Sequence, residues 1–78
     1  MRLVKLQEYF KENKIPFTYA EEEELGSLDF EVHGIAFHVW EFCEDGVYGA
    51  ESNVESCGRH KDYEGDYEQT ILDIISKW

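Results

Sequence analysis

LDFEVHGIAFHVWEF, residues Leu28–Phe42, decides how the rest of the chain is read. Leu28, Phe30 and Val32 alternate with Asp29 and Glu31, and after His33-Gly34 the alternation resumes through Ile35, Phe37 and Val39. Period-two patterning on both sides of an x-Gly pair predicts two antiparallel strands joined by a two-residue turn with positive φ. That register sets Val32 opposite Ile35, Phe30 opposite Phe37 and Leu28 opposite Val39, so one sheet face is apolar. Asp29, Glu31, Ala36, His38 and Trp40 fall on the other face, where His38 is expected to pair across the strands with Asp29.

Working outward, Asp45-Gly46 predicts a second tight turn, and Val47–Val54 returns as a third strand. If Glu44 opposes Val47, then Phe42 opposes Gly49 and Trp40 opposes Glu51. Gly49 weakens a strand, which marks a bulge or a close approach by another group. Ser56–Gly65 is polar, carries two glycines and reads as a loop of about ten residues. On the other side, Ile15–Tyr19 reads as a short edge strand, because Pro16 cannot donate to a ladder. Glu21–Glu24 reads as a solvated acidic connection.

Both ends are helical in pattern. Leu3, Leu6 and Phe10, flanked by Val4 and Tyr9, form an apolar stripe over residues 2–13, with Asn13 as a left-handed cap and Pro16 as a stop. Tyr67, Ile71, Ile74, Ile75 and Trp78 form another over 67–77, with Asp66 and Gln69 at the spacing of a capping box. The expected fold is one α+β domain over residues 1–78: a helix, a three- to four-stranded antiparallel meander and a helix, in two layers.

Composition narrows the function. The 78 residues are 42% hydrophobic and 15% aromatic, enough for a real core. Two cysteines exclude a disulfide framework, and no signal peptide or membrane span is legible, so a cytoplasmic protein is expected. Net charge is −11, and no lysine or arginine stands between Lys14 and Arg59, an interval holding eleven acidic residues. Such a segment repels phosphate backbones and anionic lipid, so neither nucleic acid nor membrane is an expected partner.

No catalytic set is visible: there is no phosphate-binding glycine loop, Ser-centred elbow or HExxH. His33, His38, Cys43, Cys57 and His60 are the available soft metal ligands. They contain one close pair, Cys57 and His60, where zinc sites use two, so no metal or other cofactor is expected. Cys57 lies near Arg59 and His60, as an activated thiol would, while Cys43 falls on the core side of its strand, where a packed inert thiol is usual.

The run Trp40–Leu72 is similar to short acidic hypothetical proteins of Gram-positive bacteria. The shared features are a tryptophan-bearing strand, a G-x-E-(S/T)-N-V piece (Gly49, Glu51, Ser52, Asn53, Val54), the Gly58-Arg59 pair and Gly65-Asp66-Tyr67-Glu68 before the last helix. Ile15-Pro16-Phe17 after the first helix is similar too. The resemblance implies a bacterial single-domain protein and no particular activity, and it directs attention to Glu51, Asn53 and Arg59. A plainer role for Asn53 and Arg59 is to tie down the long loop by hydrogen bonds.

These features lead to a small non-enzymatic binding or interaction module. Its candidate binding residues are His38, Trp40, Phe42, Glu51, Asn53 and Arg59, and two aromatics on a nominally exposed strand face suggest a homodimer or another protein partner. The alternative is an acidic inhibitor or immunity-type protein that blocks a basic partner. A thiol- or metal-dependent enzyme is the third reading.

Overall fold

A computed structural model describes residues 1–56 and 59–78. The order is α1 (Val4–Glu12), β1 (Phe17–Glu22), β2 (Leu25–Val32), β3 (Ile35–Glu44), β4 (Val47–Ser56), β5 (Arg59–Tyr63) and α2 (Tyr67–Ile75). The strands form one antiparallel meander in sequence order, β1-β2-β3-β4-β5. No helix among the described residues is long and apolar enough to cross a membrane.

The central register is the expected one. Val32 opposes Ile35, Phe30 opposes Phe37 and Leu28 opposes Val39; Glu44 opposes Val47, Phe42 opposes Gly49 and Trp40 opposes Glu51. Both x-Gly turns have two positive φ values, His33-Gly34 at 52° and 79° and Asp45-Gly46 at 52° and 79°. The right-handed strand twist favours this turn geometry, and glycine adopts it without steric cost.

Five strands replace the expected three or four. The segment read as a loop, Ser56–Gly65, contains β5, with Glu51 opposite Asp62 and Ala50 opposite Tyr63. Arg-His-Lys-Asp-Tyr lacks the apolar alternation of a strand because β5 is an edge, where charged side chains discourage pairing with other chains. Glu21 and Glu22 belong to β1, while Glu23 and Glu24, with φ of 51° and 64°, form a third two-residue turn.

Both helices pack on one sheet face. Phe10 of α1 lies against Phe17 and Phe30, at centroid distances of 5.4 and 4.4 Å. Leu6, Phe10, Leu28, Val39, Ala50, Ile71 and Ile75 belong to a single buried cluster, and Trp78 rests on Phe37 at 4.6 Å. Among the described residues, no helix or strand covers the opposite face.

Several local expectations are corrected. Asn13 has φ of −99°, and the left-handed residue is Lys14, at 55°. Asp66 makes no side-chain capping bond. Gln69 donates to Asp73, and Glu68 instead reaches across to accept from the Leu6 N–H in the first turn of α1 at 3.0 Å, satisfying one of that helix's open donors. Cys43 is exposed rather than packed. Cys57 lies outside the described residues.

Candidate functional site on the open sheet face

Successive side chains of a strand point to opposite faces. The register therefore assigns Leu25, Ser27, Asp29 and Glu31 of β2 to the uncovered face, with Ala36, His38, Trp40, Phe42 and Glu44 of β3. Val47, Gly49 and Glu51 of β4 and His60 and Asp62 of β5 join them. Trp40 stays 40% exposed.

Three side chains converge beside Trp40. His38 and Glu51 are on β3 and β4, and β5 brings His60 alongside. His60 Nδ1 lies 3.0 Å from Glu51 Oε2, and His38 Nε2 lies 3.6 Å from the same oxygen. The two imidazoles are 4.7 Å apart at 42°, and the other face of His38 stacks on Trp40 at 4.1 Å and 27°. These neighbours leave the His38 side chain only 10% exposed, although it points away from the helices. Its Nε2 is buried and, among the described residues, has no hydrogen-bond partner. Burial, and then the neighbouring His60, push His38 below its ordinary pKa, against the upward pull of Glu51 and Asp29. Asp29 stands opposite His38 as expected, but the carboxylate that closes on Nε2 is that of Glu51.

The His38 backbone is fixed by the two residues that follow Glu51. The β3–β4 ladder runs from Glu44↔Val47 to Val39↔Ser52, and β4 is irregular against β5 between Ser52 and Ser56. Beyond Ser52, side chains replace the missing ladder bonds. His38 N–H donates to Asn53 Oδ1 at 2.9 Å, the Ser52 hydroxyl donates to His38 C=O at 2.7 Å, and Asn53 Nδ2 donates to Ala36 C=O at 3.3 Å. Buried backbone groups need such partners where a strand bends away. Asn53 is thus a positioning residue for His38 rather than part of the exposed face.

Phe42 is half-buried over Gly49. A Cβ added at Gly49 would stand 2.7 Å from Phe42 Cζ and 2.8 Å from the Tyr63 carbonyl oxygen, so the close approach foreseen for this glycine is made by Phe42 itself. Arg59 is exposed at the start of β5, opposite Ser56, and is not among the converging groups. The structure therefore unites His38, Trp40 and Glu51 and adds His60. It places Asn53 behind the site and Phe42 beside it.

A second polar cluster lies on the helix face. Glu41, its side chain 2% exposed, accepts from Arg2 Nε and Nη2 at 2.8 and 2.9 Å, from Gly26 N–H at 2.8 Å and from the Tyr67 hydroxyl. Arg2 sits 4.6 Å from the centre of the Tyr48 ring, and its N–H donates to the Tyr19 hydroxyl at 2.8 Å. Burial alone would raise the Glu41 carboxyl, but the hydrogen bonds from Arg2, Tyr67 and Gly26 hold it below its ordinary value. Burial and then the Glu41 hydrogen bond push Tyr67 up to about 12. This cluster borders a cleft of about 450 Å³ at the start of both helices. Its carboxylate is fully partnered from within the chain, and the arrangement joins α2, the segment before α1 and four strands.

Comparison of the chain with protein families, with curated proteins and with solved structures found no significant match.

Proposed function

We propose that this protein is a small non-enzymatic binding module that uses its open sheet face to hold a protein partner with a basic surface. One observation carries the reading. The helices share one face, and the other carries Trp40 together with Glu22, Asp29, Glu31, Glu44, Glu51 and Asp62, with no lysine or arginine on that face among the described residues. An exposed aromatic within a single-sign field anchors a complementary surface and steers its approach. The same field disfavours a homodimer through Trp40 and Phe42, since two copies would bring like charges together, and Phe42 is already turned down onto Gly49.

The test combines sedimentation of the pure protein with capture by wild-type and Trp40→Ala baits at about 0.05 M and about 0.5 M salt. The reading expects a monomer at all concentrations and a captured protein of basic surface. Retention should fall with salt and on Trp40→Ala. A dimer broken by Trp40→Ala, or binding indifferent to both salt and Trp40, would overturn it.

A further inference from the structure

We propose that His38 Nε2, His60 Nδ1 and Glu51 together bind one divalent transition-metal ion of the zinc class. This inference does not depend on the nature of the protein partner, and it reverses the expectation from spacing that the chain has no metal site.

The first observation is geometric. The three ligand atoms lie within 4.8 Å of one another, and Glu51 Oε2 is 3.0 and 3.6 Å from the two nitrogens. Ligands about 2.0–2.2 Å from a tetrahedral ion are roughly 3.4 Å apart, so the 3.6 Å contact nearly fits, the 3.0 Å contact must open slightly, and the two nitrogens must draw together by up to about 1.4 Å. His60, with its side chain 53% exposed, can make that adjustment, whereas His38 is held by Asn53 and Ser52 through its backbone.

The second observation is the orphaned atom. His38 Nε2 is buried without a partner and faces the carboxylate oxygen that His60 also approaches. With its proton on Nδ1, the His38 imidazole offers a lone pair at Nε2 toward that carboxylate. An ion among the three atoms satisfies both nitrogens and the carboxylate at once.

Two imidazoles and one carboxylate suit zinc, cobalt, nickel or ferrous iron better than calcium or magnesium, which prefer oxygen ligands throughout. Asp29 and Asp62, cross-strand neighbours of His38 and Glu51, add negative potential favourable to a cation. Three protein ligands on an outward-facing sheet leave the remaining coordination positions to water or to a group on a bound partner.

The test uses the untagged full chain, stripped with chelator and titrated with zinc by calorimetry and with cobalt by visible absorption. The expected result is one ion per chain, without the near-ultraviolet band of thiolate coordination. Both His60→Ala and Glu51→Gln should weaken binding by at least roughly tenfold, while a Cys43→Ser/Cys57→Ser double variant should bind as wild type. His60 is exposed, so His60→Ala should keep the wild-type circular dichroism spectrum and isolate the ligand effect. Absence of stoichiometric binding, binding unchanged by His60→Ala, or binding lost with the cysteines would each overturn the proposal.

Discussion

Two charged clusters sit on opposite faces of the same sheet, one on each side of β3, and they are completed to different degrees. On the helix face, Glu41 receives four hydrogen bonds from three residues. On the open face, His38 Nε2 is buried and receives none. A buried charge is tolerated when its partners are built in, whereas an unpaired buried nitrogen costs about 1–3 kcal/mol. The first arrangement holds elements together. The second spends stability to keep a nitrogen available, as functional sites do.

The largest expected effect breaks the completed cluster. Glu41→Ala strands Arg2, Tyr67 and the Gly26 N–H and should cost about 3 kcal/mol, the lower end for a broken buried pair because Arg2 is 34% exposed. Urea unfolding measures it, and in a domain of this size such a loss is a large part of total stability. The same cluster, together with Tyr63 beside Glu55 and the buried His38, shapes the pH profile. Glu41 has a lowered folded pKa, so its contribution is complete above the ordinary 4.5 and is lost as pH falls through the folded value. Tyr67 and Tyr63, both pushed up to about 12 from 10.0, contribute fully below pH 10 and lose that contribution between 10 and about 12. Stability measured against pH should be level only from about 6.5, below which the lowered pKa of buried His38 begins to tell, up to 10.0, and Tyr67→Phe should flatten the alkaline fall.

A middle-sized effect is expected where the open face is closely packed. Gly49→Ala places a methyl against the Phe42 ring and the Tyr63 carbonyl, and the backbone oxygen cannot rotate away. We expect a loss of about 2 kcal/mol in thermal or urea unfolding. A smaller effect, of opposite sign, is expected at the Glu23-Glu24 turn. Both residues have positive φ, which side chains with a Cβ adopt at a cost. Replacing the pair by Asn-Gly should raise stability by about 1 kcal/mol.

These turns show what the sequence exposes and what it hides. His33-Gly34 and Asp45-Gly46 announce their hairpins because glycine is the usual residue at that backbone conformation. Glu23-Glu24 does the same work without the signal, held there by the pairing of Phe17 with Phe30 and Tyr19 with Leu28. The strand β5 is hidden for a different reason: its alternation is carried by charged residues, with His60 and Asp62 on one face and Lys61 and Tyr63 on the other. With β5 hidden, His60 stands apart from His38 and Glu51 in the sequence, so the proposed metal ligands look unrelated in spacing. Glu41 was legible in principle, since it continues the inward-facing series Phe37, Val39 and a charge there requires a partner. Its partners, at positions 2, 26 and 67, are too remote in sequence to be paired by pattern. By contrast, Trp40 and its opposition to Glu51 follow directly from the alternation of the central hairpin.

His38→Phe tests most directly whether the open-face cluster is a site rather than a structural brace. Phenylalanine keeps the stacking surface for Trp40 and removes the unpartnered nitrogen, leaving the backbone bonds to Asn53 and Ser52 in place. Urea unfolding of the metal-free protein should show stability unchanged or raised by up to about 1–3 kcal/mol. A loss of about 2 kcal/mol or more would mean that His38 holds the fold together and would contradict the division between the two faces.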